Sequence, residues 1–174
     1  MENTEIIEKI KRIKLLVMDV DGTLTPCTVY YSRDGEEMKR FSLRDGMGIE
    51  LLHKAGLRTA IVTSENSPIV ISRATKLKIG SIIVGSRNKT RSLEELSKNL
   101  QIPLQSVAYI GDDINDLHAM KIVGLAVCPA DAVESVKEVS HIVLEKRGGR
   151  GAVREISEII LKAQNKPITL PENW

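Results

Sequence analysis

Leu15-Leu-Val-Met-Asp19-Val-Asp21-Gly-Thr-Leu-Thr25 is the stretch that decides the fold of this 174-residue chain. It begins with a short, wholly apolar run, which is typical of a strand buried inside a parallel sheet. Asp19 would lie at the tip of this strand and Asp21 just beyond it. Because open α/β sheets bind ligands at the carboxyl ends of their strands, both carboxylates should face a site. Taken alone, the stretch is also compatible with a strand that simply ends in an acidic turn.

Strands and helices are predicted to alternate along the rest of the chain. Further short apolar runs end close to Thr63, Lys89 and Asp112, and amphipathic segments separate them. This alternation predicts an α/β fold with a Rossmann-like, doubly wound parallel sheet. The order of the strands in that sheet cannot be read from one sequence.

A β-hairpin is predicted directly after the first strand, over about residues 26–43. The Asp34-Gly35 dipeptide lies between two strand-like runs and is a strong hairpin signal. The position of the hairpin predicts a small flap over Asp19 and Asp21. We expect a single domain over residues 1–164, followed by a loosely held tail over residues 165–174.

The composition argues against nucleic-acid and membrane partners. The chain is 42% hydrophobic and 28% charged, and its net charge of +2 is too small to indicate either partner. No apolar run approaches the roughly 20 residues that span a bilayer, and the N-terminus is not signal-like, so we expect a cytoplasmic protein. Lys146-Arg-Gly-Gly-Arg-Gly151 could suggest RNA binding, but it occurs once and lacks aromatic residues for base stacking.

Polar residues of complementary kinds follow the predicted strands. Several carboxylates gathered at one sheet edge favour Mg²⁺, which prefers hard oxygen ligands. A carboxylate can attack phosphorus, and a hydroxyl and an ammonium group can then hold the oxygens of the transferred group. The residue types therefore indicate phosphoryl transfer. The candidate residues are Asp19, Asp21, Thr63, Lys89, Asp112, Asp113 and Asp116.

This pattern resembles the four motifs of the haloacid dehalogenase superfamily of phosphatases. The motifs occur in the order of that family, and the resemblance runs from about residue 14 to residue 163. It implies the haloacid dehalogenase fold and the absence of a large cap domain, since the chain has no room for one between Thr63 and Asp112. The segments that carry it are Asp19-Val-Asp21-Gly-Thr23, Thr63, Lys89 and Gly111-Asp-Asp-Ile-Asn-Asp116.

The resemblance assigns the catalytic roles. Asp19 would be the nucleophile that accepts the phosphoryl group. Asp21 would protonate the leaving oxygen and later activate water. Thr63 would donate a hydrogen bond to the phosphoryl oxygens, and Lys89 would neutralise their charge.

The resemblance also implies a metal site. Mg²⁺ would be held by Asp19, by the backbone carbonyl of Asp21 and by Asp112. Asp116 would orient the catalytic lysine, and Asp113 would lie behind the metal ligands and support them.

Three segments are similar to the group of 3-deoxy-manno-octulosonate 8-phosphate phosphatases. They are the short hairpin, Arg44-Asp-Gly-Met-Gly-Ile49 and Gly148-Gly-Arg-Gly-Ala-Val-Arg-Glu155. Members of that group form tetramers through their hairpins, and a glycine-rich C-terminal segment can reach a neighbour's active site. The resemblance therefore implies a homotetramer in which Gly148–Gly151 acts as a hinge.

The substrates of that group are 2-keto-3-deoxy sugar acids phosphorylated on the terminal carbon. Arginine is the natural partner of their carboxylate. Glu65 with Lys76 is similar to a branch that acts on nine-carbon nonulosonate 9-phosphates, whereas Arg150 resembles the eight-carbon type. The nine-carbon substrate is slightly favoured. The candidate substrate-binding residues are Arg44, Asp45, Ser64, Glu65, Arg73, Lys76, Arg147 and Arg150.

Two other functions are compatible with these motifs. A catalytically idle module could bind a sugar phosphate or serve assembly, although such a module would not need the complete set of motif residues. A phosphotransferase or mutase would use the same nucleophile, but those members usually need a cap to exclude water.

Overall fold

The computed structural model describes residues 2–170 and residue 172, and helices and strands alternate through them. None of the helices in this part of the chain is long and apolar enough to cross a membrane. Single 3₁₀ turns at Leu104–Ser106 and Ile114–Asp116 precede the sixth strand and the fifth helix. The elements are α1 (Glu2–Lys11), β1 (Leu15–Met18), β2 (Val29–Ser32), β3 (Gly35–Lys39), α2 (Leu43–Lys54), β4 (Arg58–Val62), α3 (Pro68–Lys76), β5 (Ser81–Ile83), α4 (Lys89–Leu100), β6 (Val107–Ile110), α5 (Leu117–Ile122), β7 (Leu125–Cys128), α6 (Glu134–Val139), β8 (Ile142–Val143) and α7 (Ala152–Ala163).

A six-stranded sheet in the order β5-β4-β1-β6-β7-β8 forms the centre of the molecule, and all its neighbouring strands are parallel. Leu15 of β1 lies opposite Arg58 of β4 on one side and Val107 of β6 on the other. The chain builds the sheet from β1 towards β5 and then returns past β1 to add β6, β7 and β8. This reversal creates a crevice at the carboxyl ends of β1 and β6, where doubly wound sheets bind ligands. The predicted fold class is confirmed, and the described residues contain no cap domain.

The strand β1 is buried on both faces because helices cover both sides of the sheet. Leu16 and Met18 pack with residues of α1, α2, α3 and α7. Leu15 and Val17 pack with residues of α4, α5 and α6. Successive side chains of a strand point to opposite faces, so a wholly apolar run requires cover on both sides. Asp19, the first polar residue after this run, thereby lies at the edge of the sheet.

The predicted hairpin is present as the antiparallel pair β2 and β3. Gly35 has a φ of +116°, a left-handed conformation that suits glycine at the turn. The pairing register shifts between Tyr30 and Tyr31. The hairpin extends over the Asp19 edge of the sheet, because Lys39 at its end contacts Asp21.

Asp45, which was predicted to bind substrate, connects the packed helices α2 and α7. Its Oδ2 accepts the backbone N–H of Gly151 at 3.1 Å, and its Oδ1 accepts that of Arg154 at 2.9 Å. The N-cap residue of α7 is Gly151, which has no side chain to cap the helix. Asp45 is 1% exposed and supplies this cap from the neighbouring helix. Both of its oxygens thus contact the start of α7, and its part in substrate binding stays a prediction.

The C-terminal segment is held against the domain as far as residue 170. Ile168 and Leu170 pack against the core that α1, α2 and α7 share. The Nζ of Lys166 donates to the carbonyl of Ala55 at 2.8 Å. The prediction of a loosely held tail is therefore wrong for residues 165–170, and most of the remaining tail lies outside the described residues.

Candidate active site

Asp19 lies directly after β1, at the middle of the carboxyl-terminal edge of the sheet. Its backbone N–H donates to the carbonyl of Ile110 at 3.0 Å and so extends the ladder between β1 and β6. The residue is 4% exposed. Its Oδ1 lies 2.8 Å from the Nζ of Lys89. The residue predicted as the nucleophile therefore has a fixed position and a cationic partner.

Lys89 is the first residue of α4, and Asp116 holds its buried ammonium group in place. The Nζ of Lys89 donates to Asp116 Oδ1 at 2.6 Å, and the hydroxyl of Tyr109 donates to the same oxygen at 2.7 Å. The other oxygen, Asp116 Oδ2, accepts the backbone N–H groups of Asp112 at 3.0 Å and Asp113 at 3.3 Å. Asp116 thus positions both the lysine and the loop after β6.

Asp19, Asp112 and Asp116 form a compact acidic cluster, in which one oxygen from each lies within 4.8 Å of the others. The oxygens of Asp116 are already occupied by the donors described above. In contrast, Asp112 Oδ1 is buried and has no hydrogen-bond partner among the described residues. The side chain of Asp21 turns instead towards the hairpin. The carboxylates of Asp19 and Asp112 are therefore the side-chain ligands that fit a divalent cation.

The electrostatics of the cluster also fit a cation. Burial and then the charge of Asp116 raise the pKa of Asp19 to about 7, despite the nearby Lys89. Burial and then the charge of Asp19 raise the pKa of Asp112 to about 8. The single ammonium group does not balance these carboxylates. A divalent cation would supply the missing charge and favour the ionised Asp19 that a nucleophile requires.

A cavity of about 210 Å³ opens over Asp19. It is smaller than the roughly 300–1,000 Å³ of typical small-molecule sites. A ligand of the usual small-molecule size would therefore extend beyond it. The cavity is lined by Asp19, Asp21, Cys27, Thr63, Ser64, Glu65, Asp113, Ile114 and Asn115.

Thr63 and Ser64 form the wall of the cavity at the end of β4. Thr63 is 2% exposed, and its Oγ1 accepts the backbone N–H of Glu65 at 3.4 Å. Within the described part of the chain, its hydroxyl hydrogen has no recorded acceptor, which leaves it free to donate to a ligand. The Oγ of Ser64 accepts from the side-chain amide of Asn115 at 3.3 Å, which ties the loops after β4 and β6 together.

The other residues predicted to bind substrate lie in different parts of the structure. Ser64 and Glu65 line the cavity. Arg73 and Lys76 instead line a groove beside Phe41, and the guanidinium of Arg73 lies 5.7 Å from the centre of the Phe41 ring. The remaining arginines are exposed and do not line the cavity: Arg44, Arg147 and Arg150. Recognition of a carboxylate by these arginines stays a prediction.

The Gly148–Gly151 segment, which was interpreted from sequence as a hinge, packs on the Asp21 loop of its own chain. A Cβ on Gly148 would overlap with the carbonyl of Gly22. The N–H of Gly149 donates to the carbonyl of Thr23 at 2.8 Å, and the N–H of Gly148 donates to Asp131 Oδ1 at 2.9 Å. In this conformation the glycines permit close packing, and movement of the segment as a hinge stays a prediction. Its reach into a neighbouring subunit stays a prediction.

Sequence reasoning missed two residues that hold the site together, Tyr109 and Lys39. A signal existed for Tyr109, because a tyrosine inside a buried strand needs a partner for its hydroxyl, and acidic residues follow it closely. No comparable signal marked Lys39, since a lysine on a hairpin is ordinarily exposed.

Comparisons with known proteins agree with this geometry. Residues 63–156 match the family model of the haloacid dehalogenase-like hydrolases. The chain is also 40% identical over 162 residues to the 3-deoxy-D-manno-octulosonate 8-phosphate phosphatase KdsC of Yersinia pestis, over 93% of this chain and 87% of the relative. The chain belongs to the haloacid dehalogenase-like hydrolases. It is an enzyme of this family, a phosphoric monoester hydrolase.

Two solved phosphatases show the same fold as this haloacid dehalogenase-like hydrolase. The 3-deoxy-D-manno-octulosonate 8-phosphate phosphatase of Moraxella catarrhalis, in complex with magnesium ion, phosphate ion and a KDO molecule, gives a TM-score of 0.90 at 43% identity over 93% of each chain. The cobalt-bound octulosonate phosphatase of Haemophilus influenzae gives 0.89 at 38% identity, over 90% of this chain and 92% of that one. Both relatives hold a divalent ion. The acidic cluster of the present enzyme has carboxylates that fit such an ion.

Proposed function

We propose that this phosphatase uses Mg²⁺ and removes the terminal phosphate of a 2-keto-3-deoxy sugar acid phosphate through an aspartyl-phosphate on Asp19. The observation that carries the proposal is the buried Asp19 carboxylate at the floor of a small cavity, beside Lys89 and the free oxygen of Asp112. An idle binding module would not need a buried, charge-dense cluster of this kind, because burying such charges is costly.

In the first step, a carboxylate oxygen of Asp19 forms a bond to phosphorus while the bond from phosphorus to the sugar oxygen breaks. Asp21 gives a proton to that oxygen, which leaves as an alcohol. Lys89 offsets the negative charge on the transferred group, and Thr63 donates a hydrogen bond to it.

In the second step, the oxygen of a water molecule bonds to the phosphorus of the aspartyl-phosphate as Asp21 accepts the proton of that water. Inorganic phosphate leaves, and the carboxylate of Asp19 is restored. Mg²⁺, held by Asp19, Asp112 and the backbone carbonyl of Asp21, would supply positive charge to the phosphoryl oxygens. Asp116 keeps Lys89 aligned through both steps.

The length of the substrate is the finer part of the proposal. The relatives named above are octulosonate 8-phosphate phosphatases, and their names favour the eight-carbon acid. Glu65 lines the cavity and keeps the nine-carbon acid as the second candidate. Lys76 gives less support to that candidate, because it lies in the groove beside Phe41.

The test is phosphate release from 3-deoxy-D-manno-octulosonate 8-phosphate and from a nonulosonate 9-phosphate, side by side. We expect turnover of the eight-carbon substrate that stops with a chelator and returns with Mg²⁺. Glu65→Arg should change the ratio of the two rates, and Glu65→Gln controls for the loss of charge alone. Absence of turnover on both substrates would overturn the substrate class, and an unchanged ratio would remove Glu65 from recognition.

We also propose that the chain assembles as a homotetramer through its hairpin. Large apolar side chains of the hairpin are solvent-exposed in the single chain, which supports a partner surface there. Light scattering of the wild type and of Tyr31→Glu should report a tetramer and a smaller species, respectively. A fully active wild-type monomer would contradict the proposal. The exposed residues are Val29 at 37%, Tyr30 at 51%, Tyr31 at 68% and Met38 at 57%.

A further inference from the structure

Lys39, the last residue of β3, reaches from the hairpin to the carboxylate of Asp21. Its Nζ lies 2.6 Å from Asp21 Oδ1 and 3.3 Å from Glu36 Oε1. The side chain is 3% exposed, although a hairpin lysine usually extends into water. A lysine is buried in this way only where its charge is paired.

Lys39 belongs to a chain of contacts that joins three parts of the molecule. Glu36 Oε1, which contacts Lys39, also accepts a hydrogen bond from the Oγ of Ser67 at 3.1 Å. Ser67 is fully buried at the start of α3, and its side chain does not cap that helix. The contacts therefore connect the Asp21 loop, the hairpin and α3, and they fix the position of the lysine from both sides.

The two carboxylate oxygens of Asp21 have different surroundings. Oδ1 accepts from Lys39 and, at 3.4 Å, from the hydroxyl of Thr25. Oδ2 is buried and has no hydrogen-bond partner within the residues that the structure covers. Asp21 also lines the cavity over Asp19. One oxygen is thus anchored by the hairpin, and the other has no partner among the described residues.

The charge of Lys39 is maintained at this buried position. The carboxylates of Asp21 and Glu36 both contact its ammonium group and balance its charge there. An ammonium group placed between two carboxylates can hold a carboxylate oxygen in one orientation.

We propose that Lys39 is a positioning residue, which anchors Asp21 Oδ1 so that Oδ2 exchanges the proton with the leaving oxygen. Lys39 itself contacts Asp21 and does not line the cavity. The inference rests on the proposed function, in which Asp21 is the general acid. It gives the hairpin a part in the chemistry beyond covering the site, because the anchor of the acid is a hairpin residue.

The alternative is that Lys39 merely fastens the hairpin to the domain. The two roles differ in how the rate depends on the leaving group. A sugar alkoxide needs a proton to depart, whereas p-nitrophenolate departs from p-nitrophenyl phosphate without one. Misplacement of the general acid should therefore slow the sugar substrate selectively, while loss of hairpin packing should slow both substrates alike.

The experiment measures kcat/KM for both substrates in the wild type, Lys39→Met, Lys39→Arg and Asp21→Asn. This parameter is chosen because it covers the steps up to departure of the leaving group. We expect Lys39→Met to lose about a hundredfold on octulosonate 8-phosphate and only a few-fold on p-nitrophenyl phosphate. Lys39→Arg restores a charged donor and should recover most of the loss. Arg40→Met, an exposed neighbour on the same hairpin, is the matched control and should change neither value.

Equal losses on both substrates in a folded Lys39→Met enzyme would overturn the inference. If that variant does not fold, Lys39→Gln takes its place, because its side-chain amide keeps a hydrogen-bond donor. It should show the same selectivity between the two substrates with a smaller loss of kcat/KM. Equal losses on both substrates in Lys39→Gln would count against the inference. Asp21→Asn separates the two proposals. If Asp21→Asn slows both substrates equally, the proposed role of Asp21 as the general acid is wrong. If Asp21→Asn slows the sugar substrate selectively and the Lys39 variants do not, only the Lys39 inference is wrong.

Discussion

The buried cluster of Asp19, Lys89, Asp112 and Asp116 and the exposed arginines Arg44, Arg147 and Arg150 obey different physical rules. Each cluster residue is at most 8% exposed, and contacts within the same chain fix its position. The three arginines are exposed and do not line the cavity. The residues assigned to the chemistry are thus brought together within one chain, whereas the arginines assigned to substrate recognition are not.

The cost of removing charges from water explains this difference. A buried carboxylate or ammonium group is stable only if its partners are fixed, so its geometry is determined when the chain folds. An exposed arginine is solvated in many rotamers and acquires a fixed geometry only when a ligand or another subunit pairs with it. Mutations in the cluster should therefore change rate or stability strongly, and mutations of the exposed arginines should change them weakly.

The largest effect is expected for Asp19→Asn. The amide preserves the size of the side chain but cannot form the aspartyl-phosphate, so kcat should fall at least about a thousandfold. Phosphate release measures this loss, and a thermal melt verifies that the variant is folded. Arg147→Ala is the control at an exposed arginine and should stay within about threefold of the wild-type kcat. Wild-type-like turnover by Asp19→Asn would remove it as the nucleophile.

A smaller effect is expected when the metal is removed. Mg²⁺ at about a hundred times its dissociation constant should stabilise the folded enzyme by about 2.7 kcal/mol, because it binds the native cluster alone. Asp112→Asn should abolish most of this gain. In a chelator, Asp112→Asn should also raise the melting temperature. Burial raises the pKa of Asp112, so its carboxylate is costly to bury without a cation, and the substitution removes this cost. Melting curves of both proteins, with EDTA and with Mg²⁺, provide the measurement.

If Mg²⁺ raises the melting temperature of Asp112→Asn as much as that of the wild type, the cation is bound elsewhere. Asp113→Asn is the matched control for this experiment. Its carboxylate is exposed at the neighbouring position and accepts the N–H of Ile114 at 2.7 Å, so its loss should leave most of the Mg²⁺ stabilisation in place.

The smallest effect is expected at Asp45, which resembles the cluster in burial but serves the fold. Asp45→Ala should lower the free energy of unfolding by about 1–2 kcal/mol, because two N–H groups at the start of α7 lose their acceptor. Its kcat/KM should remain close to that of the wild type. Urea denaturation measures the first quantity and phosphate release the second. Asp34→Ala, at the exposed hairpin turn, should change stability by less than about 0.5 kcal/mol.

A folded Asp45→Ala enzyme with a greatly increased KM would contradict this assignment. Asp45 would then act on the substrate, as the resemblance to octulosonate phosphatases first implied.

Short-range patterns determined much of this protein. The apolar run that ends in Asp19, the alternation of strands and helices and the turn at Asp34-Gly35 are local signals, and the structure has each element near its predicted place. The position of a residue at a strand tip is local information as well. The convergence of Asp19, Thr63 and Asp112 therefore followed once the sheet was taken to be parallel.

The tertiary structure alone decided what the buried polar side chains contact. Asp45 caps a helix that begins more than a hundred residues later, since its bonds span 106 and 109 positions of sequence. Lys39 lies beside Asp21 because the hairpin folds back over the sheet, and the strand order arises from the return of the chain past β1. A charged residue looks alike in sequence whether it is solvated or paired. Its partner, and with it the role of the residue, is fixed only when distant parts of the chain exclude water together.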